Sequence, residues 1–180
     1  MPYMDRYLQT KGVSVAPMPH RWLPEGIGVG VLGGTAVALW FLVLDVLVRS
    51  PLYTPAALGS VFFYGAQGPE EVQRTFATIG GYTMLHFAMF MGLGAIFTWI
   101  ADKVESVPRR WLIALLALIV MDGLFAGTVM MFGQWVIESV GVWAIAVGNL
   151  VALAVMAGTI WATHPILRAE MRDKSLQTAM

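Results

Sequence analysis

The stretch IGVGVLGGTAVALWFLVLDVLV, residues 27–48, carries one ionisable side chain, Asp45. As a helix rising about 1.5 Å per residue, it is long enough to cross a hydrocarbon core of roughly 30 Å. A helix is the expected state, because in lipid every backbone N–H and C=O must find a partner within its own segment. Residues 79–100, 111–134 and 140–163 form three further apolar runs of the same kind. A transmembrane barrel would need short alternating segments instead. The fold expected is an all-α integral membrane protein with four transmembrane helices in an antiparallel bundle.

Composition agrees. The chain has 180 residues, of which 58% are hydrophobic and 12% charged, and its mean hydropathy is +0.70. Soluble domains carry about 25% charged residues. Net charge is zero, so nucleic acid is not an expected partner. There is no cysteine, which excludes disulfides, thiolate metal sites and cysteine nucleophiles. No G-x-S-x-G elbow, phosphate-binding loop or H-E-x-x-H helix occurs, so no catalytic residue, metal site or enzymatic activity is assigned. Gly28, Gly30, Gly33 and Gly34 resemble a dinucleotide fingerprint only in spacing, since no strand precedes them.

Basic residues set the orientation. Arg6, Lys11 and Arg21 lie in the tail 1–26, Lys103, Arg109 and Arg110 between spans two and three, and Arg168, Arg172 and Lys174 in the tail 164–180. The other side has only Arg49 and Arg74. Both termini are therefore expected in the cytoplasm. Trp22, Trp99, Trp111, Trp135, Trp143 and Trp161 fall near span ends, as an interfacial belt requires. The first span is too long for the apolar region of a signal peptide, and reads as an uncleaved anchor.

The outer segment 50–78 is expected to form a cap of two short amphipathic helices. In TPAALGSVFFYG, Thr54 reads as N-cap, Pro55 as the first helical residue and Gly65 as terminator. Its Leu58, Val61, Phe62 and Phe63 suit the membrane interface. In GPEEVQRTFATIGG, Pro69 starts a second piece whose Val72, Phe76 and Ile79 share a face, with Gly80 and Gly81 breaking or softening the join to span two. The proline-rich stretch VSVAPMPHRWLPEG ahead of the first span reads as extended chain.

Packing in lipid needs small residues. Gly26, Gly30, Gly34 and Ala38 recur every four residues on the first span, and Gly123 and Gly127 on the third. The fourth has two stripes, Ala144, Gly148 and Ala152, then Ala154, Gly158 and Ala162. The 12 methionines read as adaptable core filler rather than a copper site.

An ionisable residue at bilayer depth is a functional hypothesis by default. From the span ends, Asp122 lies about 16 Å deep, His86 about 10 Å and Asn149 about 13 Å. These overlapping levels allow one buried polar cluster of Asp122, His86 and Asn149. It would act as a register-fixing network or as a proton or cation path. No cofactor is expected, with His86 as a haem or pigment ligand the alternative. Asp45 and Arg49, four residues apart, suit an interfacial ion pair. Arg109, Arg110, His164 and Arg168 suit lipid headgroups.

WFLVLDVLVRSPLYTPAALGSVFF, residues 40–63, together with HPILR, residues 164–168, resembles small bacterial four-span membrane proteins of no assigned function. That resemblance implies location in the bacterial cytoplasmic membrane and transfers no activity. The function expected is a small accessory or structural subunit that docks on a larger membrane complex of electron transfer or transport, or self-associates. The alternatives are a homo-oligomeric proton- or ion-coupled transporter using Asp122 and His86, and a single-histidine pigment or haem protein.

Overall fold

The computed structural model describes residues 22–104, 120, 123, 127 and 134–163. Helix α1 is Trp22–Val48, α2 is Tyr53–Tyr64, a 3-10 turn follows at Pro69–Glu71, α3 is Phe76–Val104 and α4 is Val142–Thr163. Residues 134–140 form a further helical segment that leads into α4 through Gly141. Three helices are long and apolar enough to cross a membrane: α1, α3 over Phe76–Trp99, and α4. They turn Leu39, Leu47, Met84 and Leu150 outward, each more than half exposed, as fits contact with lipid. The expected span 111–134 lies outside the described residues except at Val120, Gly123, Gly127 and Gln134, which are helical.

Local chemistry explains where the helices begin. α1 is helical from Trp22, the first described residue, whereas extended chain was expected up to residue 26. Pro24 and Glu25 fall in its first turn, where a missing N–H costs nothing and a carboxylate meets the positive helix end. α3 starts with a reciprocal cap. The Thr78 N–H donates to Thr75 Oγ1 at 3.2 Å, and the Thr75 N–H donates to Thr78 Oγ1 at 3.1 Å. This is a capping box with threonine in place of the usual Glu or Gln.

That cap overturns the second amphipathic helix expected across 69–78. Only Pro69–Glu71 turns, Val72 is extended at φ −67° and ψ 115°, and α3 runs unbroken through Gly80 and Gly81. The reason lies in Ser60, fully buried on α2. Its hydroxyl accepts the Gln73 N–H at 2.8 Å, which draws residues 72–74 out of helical geometry.

α2 also differs from expectation at its start. The N-cap is Leu52, in the left-handed region at φ 63°, and Thr54 lies inside the first turn. Gly65 terminates the helix as expected, at φ 67°, with its N–H returning to Val61. Leu58 and Val61 pack on Val136 and Val140 rather than facing lipid, while Phe62 and Phe63 stay exposed.

α1 is the central helix, in contact with α2, α3 and α4. Its glycines set the approach to α3. A methyl group at Gly26 would land on the backbone of Gly94 and Ala95, and one at Gly30 on the backbone of Phe90 and Met91. Gly94, across the interface, faces the Gly26 carbonyl in the same way. One α1 turn higher, Gly34 meets the side chains of Phe87 and Phe90. Toward α4, Gly33 meets Met156, and Gly148 meets Trp40 and Phe41. The resulting core joins Val29, Val37, Leu93, Phe97, Ala152 and Met156, with Val120 packed against it.

The glycines of the expected third span behave differently. Gly123 and Gly127 are exposed, and among the described residues nothing lies within 4 Å of a methyl group placed at either.

Because the α1–α3 contact is backbone on backbone, Gly30→Val should lower the free energy of unfolding by about 3 kcal/mol, the upper part of the overpacking range. Gly28→Val, which meets open space, should stay within about 0.5 kcal/mol of the parent. Unfolding of the purified protein in mixed micelles by added SDS measures both. Equal effects would refute the interface.

Candidate functional site

The most concentrated polar chemistry among the described residues lies at the end of α1. Asp45 has no exposed surface, and an ionised carboxylate there needs compensation at both oxygens. Oδ1 accepts from Arg49 Nη1 at 2.9 Å and from Thr54 Oγ1 at 2.7 Å. Oδ2 accepts from the Thr54 N–H at 2.6 Å. Asp45 thus occupies the positive N-terminal end of α2, where a carboxylate is favoured and a first-turn N–H lacks a helical partner.

Arg49 completes the node on the other side. Its Nη2 donates to the Val140 carbonyl at 2.6 Å, a carbonyl at the C-terminal end of the segment 134–140. The cation therefore meets the negative end of one helical segment while its partner carboxylate meets the positive end of another. Gly141, at φ 90°, turns the chain directly after Val140, and α4 starts one residue later. The pair is more than a local contact on one helix face. It joins α1, α2 and the entry to α4.

Two strained or close features lie near the node. Leu52 is the one non-glycine residue at positive φ among the described residues, a conformation that costs about 1–2 kcal/mol for an L side chain. It swings the chain so that Thr54 reaches back to Asp45, nine residues earlier. Gly59 lets α2 lie against α3, since a methyl group there would fall on the Thr78 carbonyl. Nearby, Trp40 Nε1 donates to the Ala144 carbonyl at 2.9 Å, and its ring meets Trp143 edge-on at 6.2 Å.

The other expected polar residues are placed as follows. Asp122, Arg109, Arg110, His164 and Arg168 lie outside the described residues. His86 is half-buried on α3, and its ring bonds the Gly34 carbonyl of α1 through Nε2 at 3.0 Å. The carbonyl can only accept, so Nε2 carries the proton. Tyr82, Phe87 and Phe90 surround the ring, with Phe90 at 4.7 Å between centroids. Asn149 is half-buried on α4. Among the described residues no hydrogen bond joins His86 to Asn149, and no three His, Asp or Glu side chains gather as a metal would require.

Sequence reasoning missed Thr54 as an anion partner, Ser60 as a loop anchor, and Gly59 and Gly94 as contact points. The signal available for Thr54 was the run D-x-x-x-R-S-P-L-Y-T, in which a Pro-containing turn returns the chain toward the carboxylate. Comparisons of the chain with protein-family models, curated proteins and solved structures give no match.

Two outcomes check these assignments. Arg49→Ala leaves a buried carboxylate short of its cation and should cost about 3 kcal/mol, while the double change with Asp45→Ala should cost less than the sum of the two single ones. Additive losses in SDS unfolding would show that the pair is not coupled. For His86, 15N spectra of histidine-labelled protein should show a protonated Nε2 and a bare Nδ1, and the opposite tautomer would remove the bond to Gly34.

Proposed function

We propose that the chain is a small accessory subunit of the bacterial cytoplasmic membrane. It has four transmembrane helices and both termini in the cytoplasm, and it docks on a larger membrane complex of electron transfer or transport. The observation that carries this reading is the division of labour on α4. One small-residue face, Ala144, Gly148 and Ala152, is fully buried against α1. On a second face Ala154 and Gly158 are exposed, and a methyl group at Gly158 would meet open space. In lipid, small residues earn close approach only where a second helix arrives. An exposed Ala-x-x-x-Gly on a helix whose other small face is already used therefore supports docking by a further helix.

The outer cap supports the same reading. α2 is fastened by a charged node and by Ser60, which gives the surface above the membrane a fixed shape. For the proton-path alternative, His86 supplies little: its Nε2–H is held by a backbone carbonyl and three aromatic rings wall it in. That arrangement favours a register-fixing role. The pigment alternative is left with the Nδ1 lone pair alone.

The test is purification in mild detergent from native membranes, with identification of whatever accompanies the chain in fixed stoichiometry. Gly158→Leu should leave the unfolding curve within about 0.5 kcal/mol of the parent and release the stoichiometric companion. A parent protein that is monodisperse and alone after gentle extraction would overturn the proposal.

A further inference from the structure

The two basic residues of the outer segment, Arg49 and Arg74, flank a single ring. The Arg74 Cζ lies 5.7 Å from the Tyr53 ring centroid and the Arg49 Cζ 5.9 Å. Arg49 is matched by Asp45. Arg74 is not matched: among the described residues it meets no carboxylate, and its one hydrogen bond runs from Nη2 to the Ser50 hydroxyl. A guanidinium has five N–H donors, so most of its donors remain available, and the Ser50 hydroxyl keeps its own proton to give. Arg74 is exposed. One uncompensated positive charge therefore stands at this place with a hydroxyl donor beside it.

The place is a membrane boundary. Ser50 lies two residues beyond the end of α1 and Arg74 two residues before the start of α3, so both mark the limit of an apolar span on the same side. The rim is apolar: Val48 is 68% exposed, Leu52 42% and Phe76 92%. We infer that Arg74, Ser50 and Tyr53 form a headgroup site for an anionic phospholipid, with the phosphate on the guanidinium and the acyl chains along Val48, Leu52 and Phe76. A planar guanidinium suits two phosphate oxygens at once. The apolar rim selects a lipid over free phosphate, because inorganic phosphate has nothing to lay against these three side chains. The Tyr53 ring holds the guanidinium in place from below through its face.

The test uses the full-length protein, delipidated in detergent and titrated with phosphatidylglycerol, bound lipid being counted by native mass spectrometry. The titration is run in an Arg109→Gln/Arg110→Gln background, so that these other headgroup candidates do not mask the site. Arg74→Gln should weaken the tightest phosphatidylglycerol adduct about fivefold, with helicity and thermal midpoint unchanged. Millimolar inorganic phosphate should not displace the adduct. If Arg74→Gln disturbs the fold, Ser50→Ala serves in its place and should weaken the adduct about threefold. Unchanged affinity in a folded variant overturns the site, and displacement by inorganic phosphate overturns its assignment to lipid.

Discussion

A carboxylate with no exposed surface, at the end of an apolar helix, constrains everything near it. Desolvating Asp45 is costly, and the cost is offset only if both oxygens find donors of good geometry. Arg49 supplies charge, Thr54 supplies a hydroxyl and a backbone N–H, and the α2 helix supplies its positive end. Each donor brings its own demand. Thr54 can reach Asp45 only if the chain doubles back, which places Leu52 in a left-handed turn. Arg49 can lie flat across the node only if its second nitrogen has an acceptor, and the unsatisfied Val140 carbonyl is that acceptor. The burial of one side chain thus fixes where α2 lies, where the segment 134–140 ends and where α4 begins.

Away from this node the bundle relies on a different force. In lipid no hydrophobic gain accompanies helix contact, so close backbone packing and hydrogen bonds must supply the attraction. α1 and α3 meet where Gly26, Gly30 and Gly94 remove the side chains that would hold them apart. His86 belongs to the same design. Gly34 lacks a Cβ, the rings of Phe87 and Phe90 fill that space, and the imidazole reaches the Gly34 carbonyl. A polar residue at bilayer depth here satisfies its donor on the neighbouring backbone.

The helical, membrane-spanning character was legible in the sequence because it depends on run length and on the cost of bare peptide groups, both additive along the chain. The Gly26–Gly30–Gly34 stripe was legible for a similar reason, since four-residue spacing defines a helix face. What it faces was not, because Gly94 lies on another run and nothing in either sequence sets their register. The pair Asp45 and Arg49 could be read from its spacing. The third member, Thr54, was legible only in part: the Pro-containing turn returns the chain toward the carboxylate, but the final reach depends on a left-handed Leu52 that no local preference favours. Likewise the helix expected at 69–78 had a plausible pattern, but Ser60, thirteen residues before Gln73, competes for that backbone.

Strength is distributed unevenly as a result. At the C-terminal end of α1 three helical elements converge on one ion pair, and loss of either charge leaves the other stranded. Toward the opposite end α1 and α4 are tied by Thr163 donating to Glu25, an exposed contact of the kind that contributes little in water. A bundle pinned at one end and held by glycine contacts along its length keeps the shape of its cap while its helices can adjust by small tilts. A wide swing of one helix against another would have to break the Arg49 contact to the Val140 carbonyl first. Rocking α4 against α1 therefore carries a specific cost at the end where Arg49 meets the Val140 carbonyl.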